Sequence, residues 1–268
     1  MFSALSYQAS GRRGRDDMID VEATGSVTVV RLRHGKVNAL DAELMARLTE
    51  LLDGLAADGA GAVVLTGNGR VFSAGVDLAR VLDGGAGYVE TLIPTLGRML
   101  TTVFGYPGPV VAAVDGAAIA GGCVLACAAD ARIMADTAGP IGASELVVGV
   151  PFPVSALEVL RYACGHHAEA VVLRARLVSA AEARAIGMVH DVVAAADLEE
   201  KAVAAAEELA AIPAAVYRST KARLRRGALE RIRADAALDG GVAEVWASPE
   251  TAAGIARQLE RLRSGRAR

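Results

Sequence analysis

Val114-Asp115-Gly116-Ala117-Ala118-Ile119-Ala120-Gly121-Gly122-Cys123-Val124-Leu125-Ala126 starts as the end of a strand-like run and finishes as a compact apolar helix. Glycines mark the passage between them, where the backbone must turn sharply. Outward from this stretch the same alternation repeats. Val110 to Val114 reads as a strand, Gly121 to Ala128 as a short helix and Ala131 to Ala135 as the next strand. Upstream, Val27 to Leu32 is a β-branched run between Gly25 and Gly35, and Asp41 can cap a helix running to about Ala56. Ala62 to Thr66 is a further buried strand ending at Gly67, and a helical pattern spans Glu90 to Val103. Strand and helix in alternation predict an α/β core with largely parallel strands. From Ser155 onward the pattern is helical, except for a strand-like run at Met188 to Val193. Ser179 with Glu182 forms a capping box, Pro213 breaks the helical run, and Ser248-Pro249 starts a last helix reaching about Ser264.

Composition bounds the function. Of 268 residues, 53% are hydrophobic, 22% charged and 4% aromatic, so the chain can bury a sizeable core built mainly from Ala, Val and Leu. Lys and Arg total 28 against 31 Asp and Glu, a net charge of −3 that provides no basic field for nucleic acid. Cys123, Cys127 and Cys164 cannot all pair and read as buried free thiols. No metal site is expected, because His166 and His167 are the one close pair of non-cysteine ligands and point to different sides of any regular element. Asp115 and glycines interrupt the most apolar stretch, Val110 to Ala129, so no membrane span is expected. Residues 1 to 18 carry Arg12, Arg13, Arg15, Asp16 and Asp17 and lack the apolar centre of a secretory signal. They read as a flexible tail or an over-extended start before Met18, and the protein as cytoplasmic.

Two glycine-rich turns carry the chemistry. Gly67-Asn68-Gly69-Arg70-Val71-Phe72-Ser73-Ala74-Gly75-Val76-Asp77-Leu78 follows a strand, and the backbone N–H groups it frees can hold an anion or simply close a tight turn. It lacks the Lys-Ser/Thr ending of a phosphate loop. In the second turn, Gly121-Gly122 opens a helix, where unpaired N–H groups and the positive end of the helix dipole face outward. Two such donors meeting at one point form an oxyanion hole.

Lys36-Val37-Asn38-Ala39-Leu40, Phe72 through Leu78, Asp115-Gly116 through Gly121-Gly122-Cys123, Ser144-Glu145-Leu146 and Gly149-Val150-Pro151, in this order and spacing, resemble the crotonase superfamily of enoyl-CoA hydratases and isomerases. The likeness covers roughly residues 24 to 262. It implies an α/β fold of repeated ββα units with a helical C-terminal trimerisation region. The boundaries are a tail at 1–18, an acyl-CoA-binding core at 19–195 and helices at 196–268. It implies an acyl-CoA thioester partner, no cofactor beyond the coenzyme A of the substrate, and a homotrimer or dimer of trimers. Matched position by position, the amides of Val76 and Gly121 hold the thioester oxygen. Lys36, Val37, Ala39 and Ala74 line the coenzyme A, with Asp77, Gly122 and Val124 beside the acyl group. The last helix, basic at Arg257, Arg261, Arg263, Arg266 and Arg268, either compensates its own dipole or meets a phosphate or a neighbouring subunit, and Gln258 stands where relatives often carry an aromatic residue.

The resemblance also implies two carboxylates in a hydratase. The first position is Val124 here, which can neither orient water nor exchange a proton, and the second is Glu145, in a mostly apolar stretch that raises a carboxyl pKa. One base with an oxyanion hole suffices for allylic isomerisation, so Δ3-Δ2-enoyl-CoA isomerase chemistry is the leading expectation. A hydratase with a non-standard second acid and a non-catalytic acyl-CoA binder are the alternatives. Asp83 and Glu90 are further acids near the acyl pocket in sequence. His166 and His167 read as packing or capping residues, and Asp77 as a pin for the glycine loop.

Overall fold

The computed structural model describes Gly14, Arg15 and residues 17–59 and 61–265. A seven-stranded sheet forms the centre, in the order β1 (Gly14–Arg15), β2 (Ile19–Thr24), β3 (Val27–Leu32), β4 (Ala62–Thr66), β6 (Val110–Val114), β8 (Ala131–Ala135) and β10 (Asp191–Val193). From β3 to β10 every neighbour is parallel, while β1 and β2 add an antiparallel edge. A second, parallel sheet of three short strands is ordered β5 (Val71–Ser73), β7 (Ala117–Ile119), β9 (Ile141–Gly142).

The expected ββα repeat is visible in the element order. Three main-sheet strands are each followed by a small-sheet strand and a helix: β4, β5 and α2 (Leu78–Gly105); β6, β7 and α3 (Gly121–Cys127); β8, β9 and α4 (Glu145–Val148). Helix α1 (Ala42–Ala57) follows β3, with its N-terminus capped by Asp41, whose carboxylate accepts from the Leu44 amide. Then come α5 (Val154–Cys164), α6 (Ala168–Arg174) and α7 (Ala180–Ala185), and the chain ends in α8 (Leu198–Ala210), α9 (Ala214–Ala234), α10 (Asp239–Trp246) and α11 (Pro249–Gly265). The capping box at Ser179 and Glu182 forms, and the Ser248 hydroxyl accepts from the Thr251 amide at the start of α11.

Strands β4 and β6 read as nearly continuous apolar runs because both faces are covered. Val63, Leu65, Ala112 and Val114 face a large core with α1, α2, α3 and α5, whereas Val64, Val111 and Ala113 face a smaller one with Leu198, Ala202 and Ala206 of α8. Helix α8, placed with the C-terminal helices by sequence, therefore completes the sheet's second face. No described helix is long and apolar enough to cross a membrane.

Three expectations need adjustment. Residues 14 and 15 pair with β2, although the sequence placed them in a tail; the rest of that stretch up to residue 13, and residue 16, lie outside the described residues. The last strand begins at Asp191 instead of Met188, because the amides of Met188 and Val189 turn back to the Ala183 carbonyl at the end of α7. The second long helix starts at Leu78, twelve residues earlier than its periodicity suggested, and is interrupted at Gly85, whose φ of 56° is left-handed.

Helix α9 is fixed to the core by charge. Lys221 and Arg225 both reach Asp130, at 2.6 and 2.8 Å, and Arg225 also donates to the carbonyls of Phe104, Ala128 and Ala129. Removing the carboxylate leaves two buried cations facing main-chain dipoles alone. Asp130→Ala is expected to cost about 3–5 kcal/mol in urea unfolding, the range for breaking a buried ion pair from one side, whereas a loss below about 1 kcal/mol would show the pair to be incidental.

Candidate active site

The three strands of the small sheet end side by side, and each releases one of the residues singled out by sequence. Val76 lies three residues beyond Ser73, Gly121 two beyond Ile119, and Glu145 three beyond Gly142. Parallel strands in adjacent positions send their following loops to the same edge, so residues distant in sequence meet.

The first loop is shaped by side-chain bonds. Asn38, itself at φ 47°, donates from Nδ2 to the carbonyls of Val71 and Phe72, and the Ser73 hydroxyl donates to the Asn38 carbonyl at 2.7 Å and accepts from the Gly75 amide. Leu40 then bridges to Val76: its amide donates to Gly75 and its carbonyl accepts from Asp77. This pairing consumes the groups on either side of the Val76 amide and leaves that N–H directed away. In the second loop Ala120 sits at φ 51°, ψ −125°, a conformation normally reserved for glycine, and orients the first amide of α3. Among the described residues, neither the Val76 nor the Gly121 amide has a hydrogen-bond acceptor. The two loops are in contact. A Cβ built on Gly75, at φ 81°, would stand 2.7 Å from the Ile119 oxygen and 3.1 Å from the Gly121 nitrogen, and one on Gly121 would stand 3.7 Å from the Val76 nitrogen.

Val76 and Gly121 both line a cavity of about 460 Å³. Its wall is apolar, with Leu96 and Leu100 from α2, Val124 from α3, Val150 and Ala156, and Trp246 from α10. The indole N–H of Trp246 is already donated to the Pro151 carbonyl, so the ring presents only carbon. Glu145 is the single ionisable side chain lining this cavity among the described residues. Its side chain is 8% exposed, and its Oε2 has no hydrogen-bond partner there. Burial pushes the Glu145 carboxyl up to about 8, with its own amide pulling weakly the other way.

The remaining expected residues sit around this site. Ala74 lines the cavity, and its amide donates to the Val37 carbonyl, which places the Lys36 to Ala39 segment beside the first loop but off the cavity wall. Asp77 caps α2 by accepting from the amides of Ala79 and Arg80. Gly122 packs under the first loop, where any side chain would run into the Ser73 carbonyl. Asp83 and Glu90 are exposed and off the cavity. The rings of His166 and His167, tilted 42° to one another, also lie away from it. The amides of Gly67 and Gly69 are taken by the Asp115 carboxylate, so that glycine turn is closed from within the chain. Sequence reasoning missed Asp115 in this role, since nothing local signals a partner 46 or 48 residues away. Arg257 and Arg261 line a second hollow beside α4, sharing Gln258 with the main cavity; Arg266 and Arg268 lie outside the described residues. The three cysteines are buried and free, and no described group of three His, Cys, Asp or Glu side chains is placed to hold a metal ion.

Residues 22–264 match the family model described as enoyl-CoA hydratase/isomerase. The chain is 40% identical over 211 residues to a Thermus thermophilus protein named "Putative enoyl-CoA hydratase", covering 76% of this chain and 82% of that one. It is 28% identical over 219 residues to human mitochondrial enoyl-CoA delta isomerase 1, covering 80% and 72%. Among solved structures, human mitochondrial delta3-delta2-enoyl-CoA isomerase superposes with a TM-score of 0.88 at 27% identity, covering 92% of this chain and 98% of that chain.

A carboxyl held near 8 binds a proton in the folded state that the unfolded chain has lost above its ordinary value of 4.5. Glu145 therefore lowers stability progressively as pH rises from about 4.5 to about 8, and by a constant amount above. Relative to the wild type, Glu145→Gln is expected to gain stability across that interval, on the order of a few kcal/mol at about 1.4 kcal/mol per unit. Thermal unfolding at a series of pH values reads this out, and a difference independent of pH would contradict the buried carboxyl.

Proposed function

The chain belongs to the enoyl-CoA hydratase/isomerase family, and from that premise we propose that it moves the double bond of a 3-enoyl-CoA thioester into the 2-position, with Glu145 as the single acid–base group. The observation that carries this reading is Glu145 as the one ionisable side chain, among the described residues, on an apolar wall that includes Val124, at the position where the resemblance implies the other carboxylate of a hydratase. Glu145 in its ionised form takes a proton from C2 of the bound thioester. The C–H electron pair forms the C1–C2 double bond and the carbonyl π pair moves onto oxygen, giving a dienolate whose oxygen is held by the Val76 and Gly121 amides. The same carboxyl then returns the proton to C4, and the thioester carbonyl re-forms. Charge builds on the oxygen in the transition state and persists in the dienolate, where preorganised amides act more strongly than on the neutral thioester; losing one such donor costs about 10²–10³ in rate. The dry wall around Val124 opposes addition of water to the product.

The coenzyme A portion of the thioester lies, in this proposal, along Lys36, Val37, Ala39 and Ala74, at the outer edge of the first loop. Asp77 and Gly122 shape the two loops without touching the reacting atoms. No cofactor enters the reaction. A homotrimer or dimer of trimers is the assembly we propose, supported by exposed apolar residues on the C-terminal helices such as Val216, Leu224 and Leu238.

Steady-state rates on paired 3-enoyl and 2-enoyl thioesters test the reading. Glu145→Gln is expected to lower isomerisation by about 10²–10⁴, the usual contribution of a positioned general base. In the wild type, kcat/KM rises with pH and levels near 8, because only the ionised carboxyl accepts the C2 proton. Full activity in the variant would remove Glu145 from the mechanism, while turnover absent in the wild type, with acyl-CoA still bound, would favour a binding protein. Val124→Glu is expected to raise hydration of a 2-enoyl-CoA; abundant hydration before that change would contradict the isomerase assignment.

A further inference from the structure

Helix α4, which carries Glu145, has four residues. A single turn fixes several dihedral angles for one or two hydrogen bonds and has no stability of its own in water. The amide of Val147 donates to Ser144, that of Gly149 to Glu145 and Leu146, and that of Val150 to Glu145. What holds it comes from the opposite end of the chain. The Thr251 hydroxyl of α11 donates to the Gly149 carbonyl at 3.3 Å, the Trp246 indole to Pro151 at 2.9 Å, and the Asp239 carboxylate accepts from the Val154 amide at 2.9 Å. Gly254, on the turn of α11 after Thr251, lies so near α4 that any Cβ would strike the Val148 carbonyl oxygen. The same helix lines the cavity with Gln258 and Leu262.

We propose that α11 is a positioning element for the base, with Gly254 and Thr251 setting the orientation of α4 that turns the Glu145 carboxyl into the cavity. The inference rests on the assignment of Glu145 above. Thr251 is 3% exposed, and the carbonyl it binds belongs to Gly149, the left-handed residue at φ 90° that terminates α4. A displaced α4 would rotate the carboxyl out of the apolar wall toward solvent. Its proton affinity would then fall toward the ordinary carboxyl value, because burial is the main cause of its elevation.

The experiment measures kcat, KM and the pH dependence of kcat/KM on a 3-enoyl-CoA for Gly254→Ala, Thr251→Val and Thr251→Ser, beside Glu145→Gln. Gly254→Ala and Thr251→Val are expected to lower kcat about tenfold or more, leave KM within about twofold, and move the rising limb to lower pH. Thr251→Ser keeps the hydroxyl and is expected to restore the wild-type profile. If Glu145→Gln is inactive while the Gly254 and Thr251 variants keep wild-type kcat and an unmoved limb, the positioning role is overturned and the base assignment stands. Reduced thermal stability with an unmoved limb likewise overturns it, since that is what a purely structural contact would give. An active Glu145→Gln overturns the assignment itself, independently of α11. Should Gly254→Ala fail to fold, the Thr251 pair alone decides.

Discussion

Three short parallel strands that end side by side are what the rest of the site depends on. Because β5, β7 and β9 lie next to one another, the loops that leave them arrive at one edge, and an amide, a second amide and a carboxyl separated by 45 and 24 residues come to share a cavity. The geometry tolerates little bulk. Gly75 passes within contact of the Ile119 carbonyl and the Gly121 nitrogen, and Gly122 lies against Ser73, so the two loops approach backbone to backbone. Ala120 is held in a glycine-like conformation that typically costs on the order of 1–3 kcal/mol, and it persists because its amide donates to Gly142 and its carbonyl accepts from Val124.

The acidic residues near these loops divide by environment. Asp41, Asp77 and Asp115 each accept from main-chain amides: Asp41 and Asp77 cap helices, and Asp115 closes a glycine turn. Interactions with Leu44, His34 and Arg80 outweigh burial at Asp41 and hold its carboxyl below the usual range. Glu145 has no comparable set of partners; desolvation dominates, and the carboxyl is held high. An unpaired buried acid is a cost to folding, and its place on the wall of an apolar cavity is where such a cost supports proton transfer.

Much of this could be read from the residues. The strands at 62–66 and 110–114 were legible because both faces of the main sheet are buried there, leaving apolar runs that glycine or acid residues terminate, and the strand at 131–135 was legible although Arg132 interrupts it. The strands of the small sheet were not, since two or three residues carry no periodicity and their pairing is set by contacts with segments tens of residues away. Gly121 and Glu145 were singled out through a motif pattern, and both line the cavity. The Asp115 bonds, the Gly85 break and the dependence of α4 on α11 were not, because each is a tertiary relation with no local sequence signature. The glycines at 67 and 69 illustrate the limit: composition suggested an anion, and the anion is a side chain of the same protein.

The central claim is that one carboxyl, shielded from water, takes and returns the same proton. Turnover of a 3-enoyl-CoA carrying deuterium at both C2 positions, followed by mass and NMR analysis of the product, tests it most directly. The account predicts a 2-enoyl product in which a measurable share of the label removed from C2 appears at C4, because the 8% exposed Glu145 exchanges slowly with solvent. A product whose C4 hydrogen comes wholly from solvent, or a 3-hydroxyacyl thioester in place of the isomer, would contradict it.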